Sequence, residues 1–368
     1  METVETKHSR YGTAASRWAG VGPYYAMFPV SFATAAVKEH TKIGDCVLDP
    51  FAGRGTALFA AAAEARIGLG IEINPVGWVY GKAKLQTSEK DEVEERIRWL
   101  GQESKNYKIA AKNLPPFFHS CFCREVRRFL LAARELLDWR RRKIDWTTMA
   151  LLMVDLHGKR ENALSNQMRQ TKAMSPQYAI DWWKERALAP PEVDPVEFML
   201  KKVKWRFAKG RLDSGRGRIY LGDCQTVLNQ WKGQPPERRA RLLLTSPPYL
   251  GITNYFYDQW LRLWLLGGPS QPRSTGNSCK RKFQNKKYYA NMLSNVFEKS
   301  KALLTRNAVV YVRTDAREFT REATIEALES AFPRKKLRIQ KHSLPNFTQT
   351  TLFDSELETE GEVDFVMW

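Results

Sequence analysis

The stretch "IGDCVLDPFAGRGTALFAAAAEA" at 43–65, followed by "IGLGIEINP" at 67–75, limits the fold more than any other part of the chain. The first apolar run predicts a short buried strand, Gly53 and Gly55 a turn, and the alanine-rich run a helix. The second apolar run, closed by Asn74-Pro75, predicts the next strand. Strand, glycine turn, helix and strand in that order open a doubly wound α/β sheet. Glycines at such a turn let the backbone approach a ligand closely and adopt positive φ. The turn is not Gly-x-Gly-x-x-Gly and lacks the Lys-Ser/Thr of a P-loop, which argues against phosphate binding. Glu72 ends the second strand 17 residues after Gly55, about where doubly wound folds place the acid that holds ribose hydroxyls.

A second punctuation mark is "RARLLLTSPPY" at 239–249. Two adjacent prolines lack N–H groups and have fixed φ, so an apolar strand must stop there. Strand signals recur at 218–224, 307–315, 336–344 and 361–368, giving seven strands in order, the last pair expected as an antiparallel hairpin at a sheet edge. Residues 86–215 differ: they are rich in Arg, Lys and Trp with helical periodicity, and "EVRRFLLAARELLDWRRRK" (125–143) predicts one amphipathic helix. The expected division is a sheet domain made of 1–85 and 216–368, interrupted by a helical, basic insertion at 86–215.

Lys and Arg total 59 against 40 Asp and Glu, a net charge of +19. Charge of this sign, clustered at 140–143, 201–211 and 280–287 among Trp and Phe, points to a polyanion partner, nucleic acid above all. Lys280, Arg281 and Lys282 are candidate phosphate contacts within the last block. No apolar run has the length of a membrane span, and "METVETKHSR" has no signal-peptide pattern, so a cytoplasmic protein without membrane contact is expected. The five cysteines show no disulfide-like spacing. His119, Cys121 and Cys123 have no second ligand pair at zinc-finger distance, so incidental thiols and no metal site are expected.

"DPFAGRGT", "GIEINP" and the later "TSPPY" together resemble the S-adenosylmethionine-dependent DNA methyltransferases that act on exocyclic amino groups, making N4-methylcytosine or N6-methyladenine. The resemblance covers about 20–85 and 216–368. It implies a Rossmann-like methyltransferase fold, a seven-stranded mostly parallel sheet with an antiparallel edge hairpin, and S-adenosyl-L-methionine as cofactor. Carried over, it assigns Asp49, Phe51, Gly53, Gly55 and Thr56 to the methionine side of the cofactor and Glu72 to its ribose. It places Asp223 near the adenine, and Phe28 and Pro29, with Tyr25, in the segment completing the methionine pocket. It also implies double-stranded DNA as partner, a cognate restriction endonuclease in a restriction-modification or defence setting, and a monomer or homodimer. The cofactor motif here precedes TSPPY, with the basic block between them, which departs from the commonest order of that family and leaves base preference open.

The chemistry that such a motif serves can be stated from the residues. An exocyclic amino group is a poor nucleophile because its lone pair is delocalised into the ring. Ser246 Oγ can accept one N–H and the Pro247 carbonyl the other, while Pro248 keeps that carbonyl fixed. Tyr249 can stack on a base flipped from the duplex. Methylation of a ring carbon needs an activated cysteine, typically after proline, and no cysteine here follows one. The resemblance further implies cytosine N4 as the favoured target, because Ser heads the Pro-Pro motif. Adenine N6 is the alternative, and guanine-N2 methylation of tRNA, which also uses strand-end Pro-Pro motifs, is a second. A non-enzymatic DNA-binding protein would need neither Glu72 nor the glycine loop. Within the insertion, Arg160, Asn166, Gln167, Arg169 and Lys172 are base-edge or phosphate-reading types, so this block is expected to hold the target-recognition region.

Overall fold

The computed structural model describes residues 11–23, 28–212, 216–235, 237–250, 255–272, 285–342 and 361–368. They form two compact units: one from 25–81, 214–255 and 274–368, the other from 1–24, 82–213 and 256–273.

The first unit holds a seven-stranded sheet in the order β3-β2-β1-β4-β5-β7-β6. Its strands are β1 (Cys46–Asp49), β2 (Ile67–Glu72), β3 (Gly217–Leu221), β4 (Ala240–Thr245), β5 (Leu304–Asp315), β6 (Leu337–His342) and β7 (Glu362–Met367). β1 to β5 are parallel, and β7 runs antiparallel to both neighbours, with β6 at the edge. This is the Rossmann-like methyltransferase sheet with its antiparallel edge hairpin, as expected. The central strands are buried on both faces, the reason their sequences run apolar without alternation. On one face Val47, Leu242, Leu244 and Val309 pack against the helices Val30–His40 and Thr56–Ala63. On the other, Leu48, Leu69, Leu243, Val310 and Val312 meet helices including Cys224–Trp231, Lys286–Lys301 and Glu318–Ala331. The order of strands reverses between β1 and β4, and in open α/β sheets the crevice outside the carboxyl ends at that reversal is where ligands bind.

The second unit is helical. The helix Lys143–Asp155 is buried along nearly its whole length, and Arg262 is fully buried, donating to the carbonyls of Met153 and Gln170. The unit takes in chain from outside 86–215 for visible reasons. Trp18 Nε1 donates to the Gly210 carbonyl at 3.1 Å, and Trp260 Nε1 donates to that of Met174 at 2.9 Å. The expected helix over 125–143 is shorter, Arg124–Leu136. Leu137 turns extended, and the buried Asp145 carboxylate, paired with Arg96, accepts the Asp138 N–H at 2.9 Å, so the chain bends before "RRRK". Among the described residues no helix is long and apolar enough to cross a membrane.

Candidate active site at the carboxyl ends of the strands

The loop after β1 is shaped by two glycines in left-handed conformations, Gly53 at φ +53° and Gly55 at φ +75°. It curls back on itself through Gly55 N–H to the Ala52 carbonyl at 2.7 Å and is stitched to β2 by Ala52 N–H to the Ile71 carbonyl at 2.9 Å. Glu72 finishes the job. One carboxylate oxygen accepts the Gly53 N–H and the other the Asn74 N–H, each at 2.7 Å. Gly77 is needed for the same turn, since a Cβ there would lie 2.6 Å from the Gly53 carbonyl oxygen and 3.1 Å from Glu72 Cγ. Gly77→Ala is therefore expected to shift the turn and destabilise the fold by about 1–3 kcal/mol, seen as a lower urea midpoint together with weaker cofactor binding in calorimetry.

Asp49 joins this loop to the Pro-Pro motif. One of its oxygens accepts both the Phe51 N–H at 3.1 Å and the Thr245 hydroxyl at 2.6 Å. A single buried carboxylate thus fixes the start of the glycine loop and the end of β4. Burial pushes the Asp49 carboxyl up to about 7 against its two hydrogen bonds. Burial pushes Glu72 up to about 8, with the nearby Asp49 charge adding to it and the Asn74 and Gly53 N–H groups opposing.

Past Thr245, Ser246 is half-buried, and among the described residues nothing hydrogen-bonds its Oγ or the Pro247 carbonyl. Tyr249 is buried and donates its hydroxyl to Glu362 Oε1 at 3.2 Å, and the Leu250 carbonyl accepts from Arg317 Nη2 at 2.7 Å. The loop is therefore held at its start and end, while its two candidate acceptors stay unengaged among the described residues.

Other expected cofactor residues fall as follows. Thr56 opens the helix after the loop and is buried, Phe51 is half-buried. Asp223 lies just past β3 and caps the next helix through the Thr226 N–H at 3.1 Å. Phe28 packs edge-on against Phe32 in the core beside Leu242 and Leu244, and Pro29 is exposed. Tyr25 lies outside the described residues. Two residues were not picked out from sequence: Ile73, directly after Glu72, is 48% exposed, and Leu221, paired with Glu72 across β2 and β3, is 37% exposed. Apolar side chains presented to solvent at the carboxyl ends of β2 and β3 are the available signal, and both suit a flat apolar ring.

In the helical unit, Asn166 corrects an expectation. It is fully buried and donates its amide to the carbonyls of Ser120 at 3.2 Å and Leu188 at 2.8 Å, so it locks a loop instead of meeting a base edge. Gln167 Oε1 accepts the Arg160 N–H at 3.0 Å, and Arg160 Nε donates to the Ala189 carbonyl. Lys172 pairs with Asp258 at 2.9 Å. Arg169 has an exposed side chain, and its carbonyl meets His157 Nδ1. Lys280, Arg281 and Lys282 lie outside the described residues. His119 Nε2 meets the Leu114 carbonyl at 3.0 Å, and Cys121 is a fully buried thiol whose pKa burial raises. Cys123, Glu125 and Glu192 place ligand-type atoms within 4.8 Å of one another, but Glu125 is engaged by Arg124.

Residues 2–76 match a family model described as DNA methylase, of the N6/N4 methyltransferase kind. The type II methyltransferase M.Cfr9I of Citrobacter freundii is 43% identical over 54 residues, 15% of this chain and 18% of that protein. The type II methyltransferase M.MjaII of Methanocaldococcus jannaschii is 27% identical over 95 residues, 26% of this chain and 17% of that protein. The chain thus spans less than a fifth of the length of either relative. Among solved structures, the rRNA methyltransferase aviRa of Streptomyces viridochromogenes overlays with a TM-score of 0.33 at 11% identity, over 97% of this chain and 96% of that one. The segment carrying the glycine loop and Glu72 therefore resembles the amino-methyltransferases of DNA.

Proposed function

We propose that this chain is a DNA methyltransferase that modifies the exocyclic amino group of a flipped base, with cytosine N4 as the favoured target and adenine N6 as the alternative. The observation that carries the reading is the Asp49–Thr245 bond, which ties the glycine loop after β1 to the start of the Ser-Pro-Pro-Tyr loop after the adjoining β4, whose two candidate acceptors are unengaged among the described residues. The residues fit S-adenosylmethionine. Gly53, with open space where a Cβ would stand, leaves room for close backbone approach, Glu72 offers a carboxylate to a ribose diol, and Ile73 and Leu221 offer apolar surface to an adenine. When bound, that cofactor supplies an electrophilic methyl group.

The chain's own contribution is geometric and electrostatic. Ser246 Oγ and the Pro247 carbonyl accept the two amino hydrogens, drawing the nitrogen lone pair out of conjugation, and Pro247 and Pro248 hold these acceptors without reorganisation. Buried Tyr249 supports the base, whose extrusion costs roughly a few kcal/mol. The basic insertion, with Arg169 and Lys172 on its exposed surface, serves phosphate contact and target choice on double-stranded DNA. The names of the two relatives support a restriction-modification setting, with a cognate endonuclease as partner.

Genomic DNA incubated with the purified protein and S-adenosylmethionine, then digested to nucleosides for mass spectrometry, is expected to show N4-methylcytosine. N6-methyladenine in its place moves the target to adenine. Unmodified DNA, with methylated tRNA in a parallel reaction, overturns the DNA reading.

A further inference from the structure

The Ser-Pro-Pro-Tyr loop is short of freedom at every torsion except a few. The prolines fix two φ angles, and Asp49 holds Thr245 before them. Past the prolines, Tyr249 and Leu250 each keep both soft torsions. Each of these residues is tied down by a side chain from the last third of the chain. Asp315, the final residue of β5, grips Arg317 as a fork: Oδ1 accepts Nε at 2.9 Å and Oδ2 accepts Nη2 at 3.0 Å. The same Nη2 donates to the Leu250 carbonyl at 2.7 Å. From the other side, Glu362, the first residue of β7, takes the Tyr249 hydroxyl. Its second oxygen lies 3.5 Å from Arg313 Nη1, and Arg313 is in turn held by Asp364 at 2.6 and 2.7 Å.

We infer that Arg317 and Glu362 are positioning residues for amino-group methylation. Arg317 sets the path of the backbone leaving the Pro-Pro pair, and Glu362 sets the Tyr249 ring. This rests on the methyltransferase reading and deepens it. The hydrogen bonds of these side chains among the described residues run to the acceptor loop and to Asp315, so both act on the acceptor loop. The Arg317 side chain is 33% exposed, so its removal opens no sealed cavity and a mere packing role would leave turnover intact.

The test uses the full chain, duplex DNA and radiolabelled S-adenosylmethionine. Arg317→Ala is expected to lower kcat by about 10- to 100-fold, since misplacement of a reacting group by about 1 Å costs that order. Its cofactor Kd should stay at the wild-type value while the thermal midpoint falls, because the buried Asp315 loses its partner, and millimolar guanidinium ion, but not sodium ion, should restore turnover several-fold. Glu362→Gln, which keeps an acceptor for the Tyr249 hydroxyl, should retain most activity, while Glu362→Ala should lose kcat as Tyr249→Phe does. Wild-type turnover in Arg317→Ala, loss of cofactor binding in step with kcat, or no response to guanidinium overturns the inference while leaving the methyltransferase reading intact. A wild-type protein that binds S-adenosylmethionine and methylates no nucleic acid ends both.

Discussion

Ser246→Ala is expected to lower the rate of methyl transfer by about 10²- to 10³-fold, the usual cost of losing one preorganised hydrogen-bonding group aimed at a reacting centre. The hydroxyl is half-buried and carries no hydrogen bond among the described residues. Its loss therefore leaves the fold untouched and removes one of two acceptors. The Pro247 carbonyl remains, so a residual rate is expected and not silence. The measurement is single-turnover transfer with enzyme in excess over duplex, alongside calorimetry with S-adenosylmethionine. Cofactor affinity should be unchanged, because the glycine loop is held by Glu72 and Asp49. A wild-type single-turnover rate would show that Ser246 plays no part in activating the amino group.

Glu72→Gln attacks the other half of the site. Each carboxylate oxygen accepts one backbone N–H, and glutamine must turn its NH₂ toward one of those donors. Leaving a buried donor unpaired costs about 1–3 kcal/mol, and the loss of a charged partner for the ribose adds to it. S-adenosylmethionine should bind roughly 100-fold more weakly, which corresponds to about 2.7 kcal/mol. The proton balance gives a second readout. Glu72 rises from 4.5 to about 8 and Asp49 from 3.8 to about 7, both through burial. Each group's folded form holds its proton more tightly than the unfolded chain does. The stability they contribute is complete below about 4 and is lost as pH climbs toward about 8. On the proposed reading, ribose hydroxyls donating to Glu72 would favour the ionised form, so cofactor binding near neutral pH should release a proton and tighten as pH rises through that window. Calorimetry in two buffers of different ionisation enthalpy measures the proton directly, and the release should shrink in Glu72→Gln. Proton uptake on binding would refute the assignment of Glu72 to the ribose.

Local punctuation made parts of this site legible in sequence. Gly53, Gly55 and the Asn74-Pro75 stop marked where β1 and β2 end, and Pro247-Pro248 marked the end of β4, because these residues admit few other backbone conformations. What joins those ends was hidden. The Asp49–Thr245 bond crosses 196 positions and the Tyr249–Glu362 bond 113, and no periodicity within a strand announces its neighbour across a sheet. Arg317 reads in sequence as one more cation in a basic chain, and only the register of β5 places it behind the acceptor loop. The helix over 125–143 was overextended because its apolar stripe continues to Leu137, while the group that stops it, Asp145, lies downstream and acts back on Asp138. Asn166 misled for a related reason. A polar residue in a polar stretch looks solvated, yet its amide is used up on two backbone carbonyls.

The placement of β7 between β5 and β6 sets a timetable for how the molecule is built. β1 and β2 are made before the other five strands and can pair at once, so the glycine loop and Glu72 can come together while β3 to β7 are still to come. β6 emerges with no strand to join until β7 arrives, and until then β5 presents an open edge of the kind that invites aggregation. The same late strand delivers Glu362 to Tyr249. A chain lacking β7 would thus keep the glycine-loop contacts of Glu72 without the Tyr249–Glu362 bond, and on the proposed reading competence to modify a base would appear only once β7 is seated.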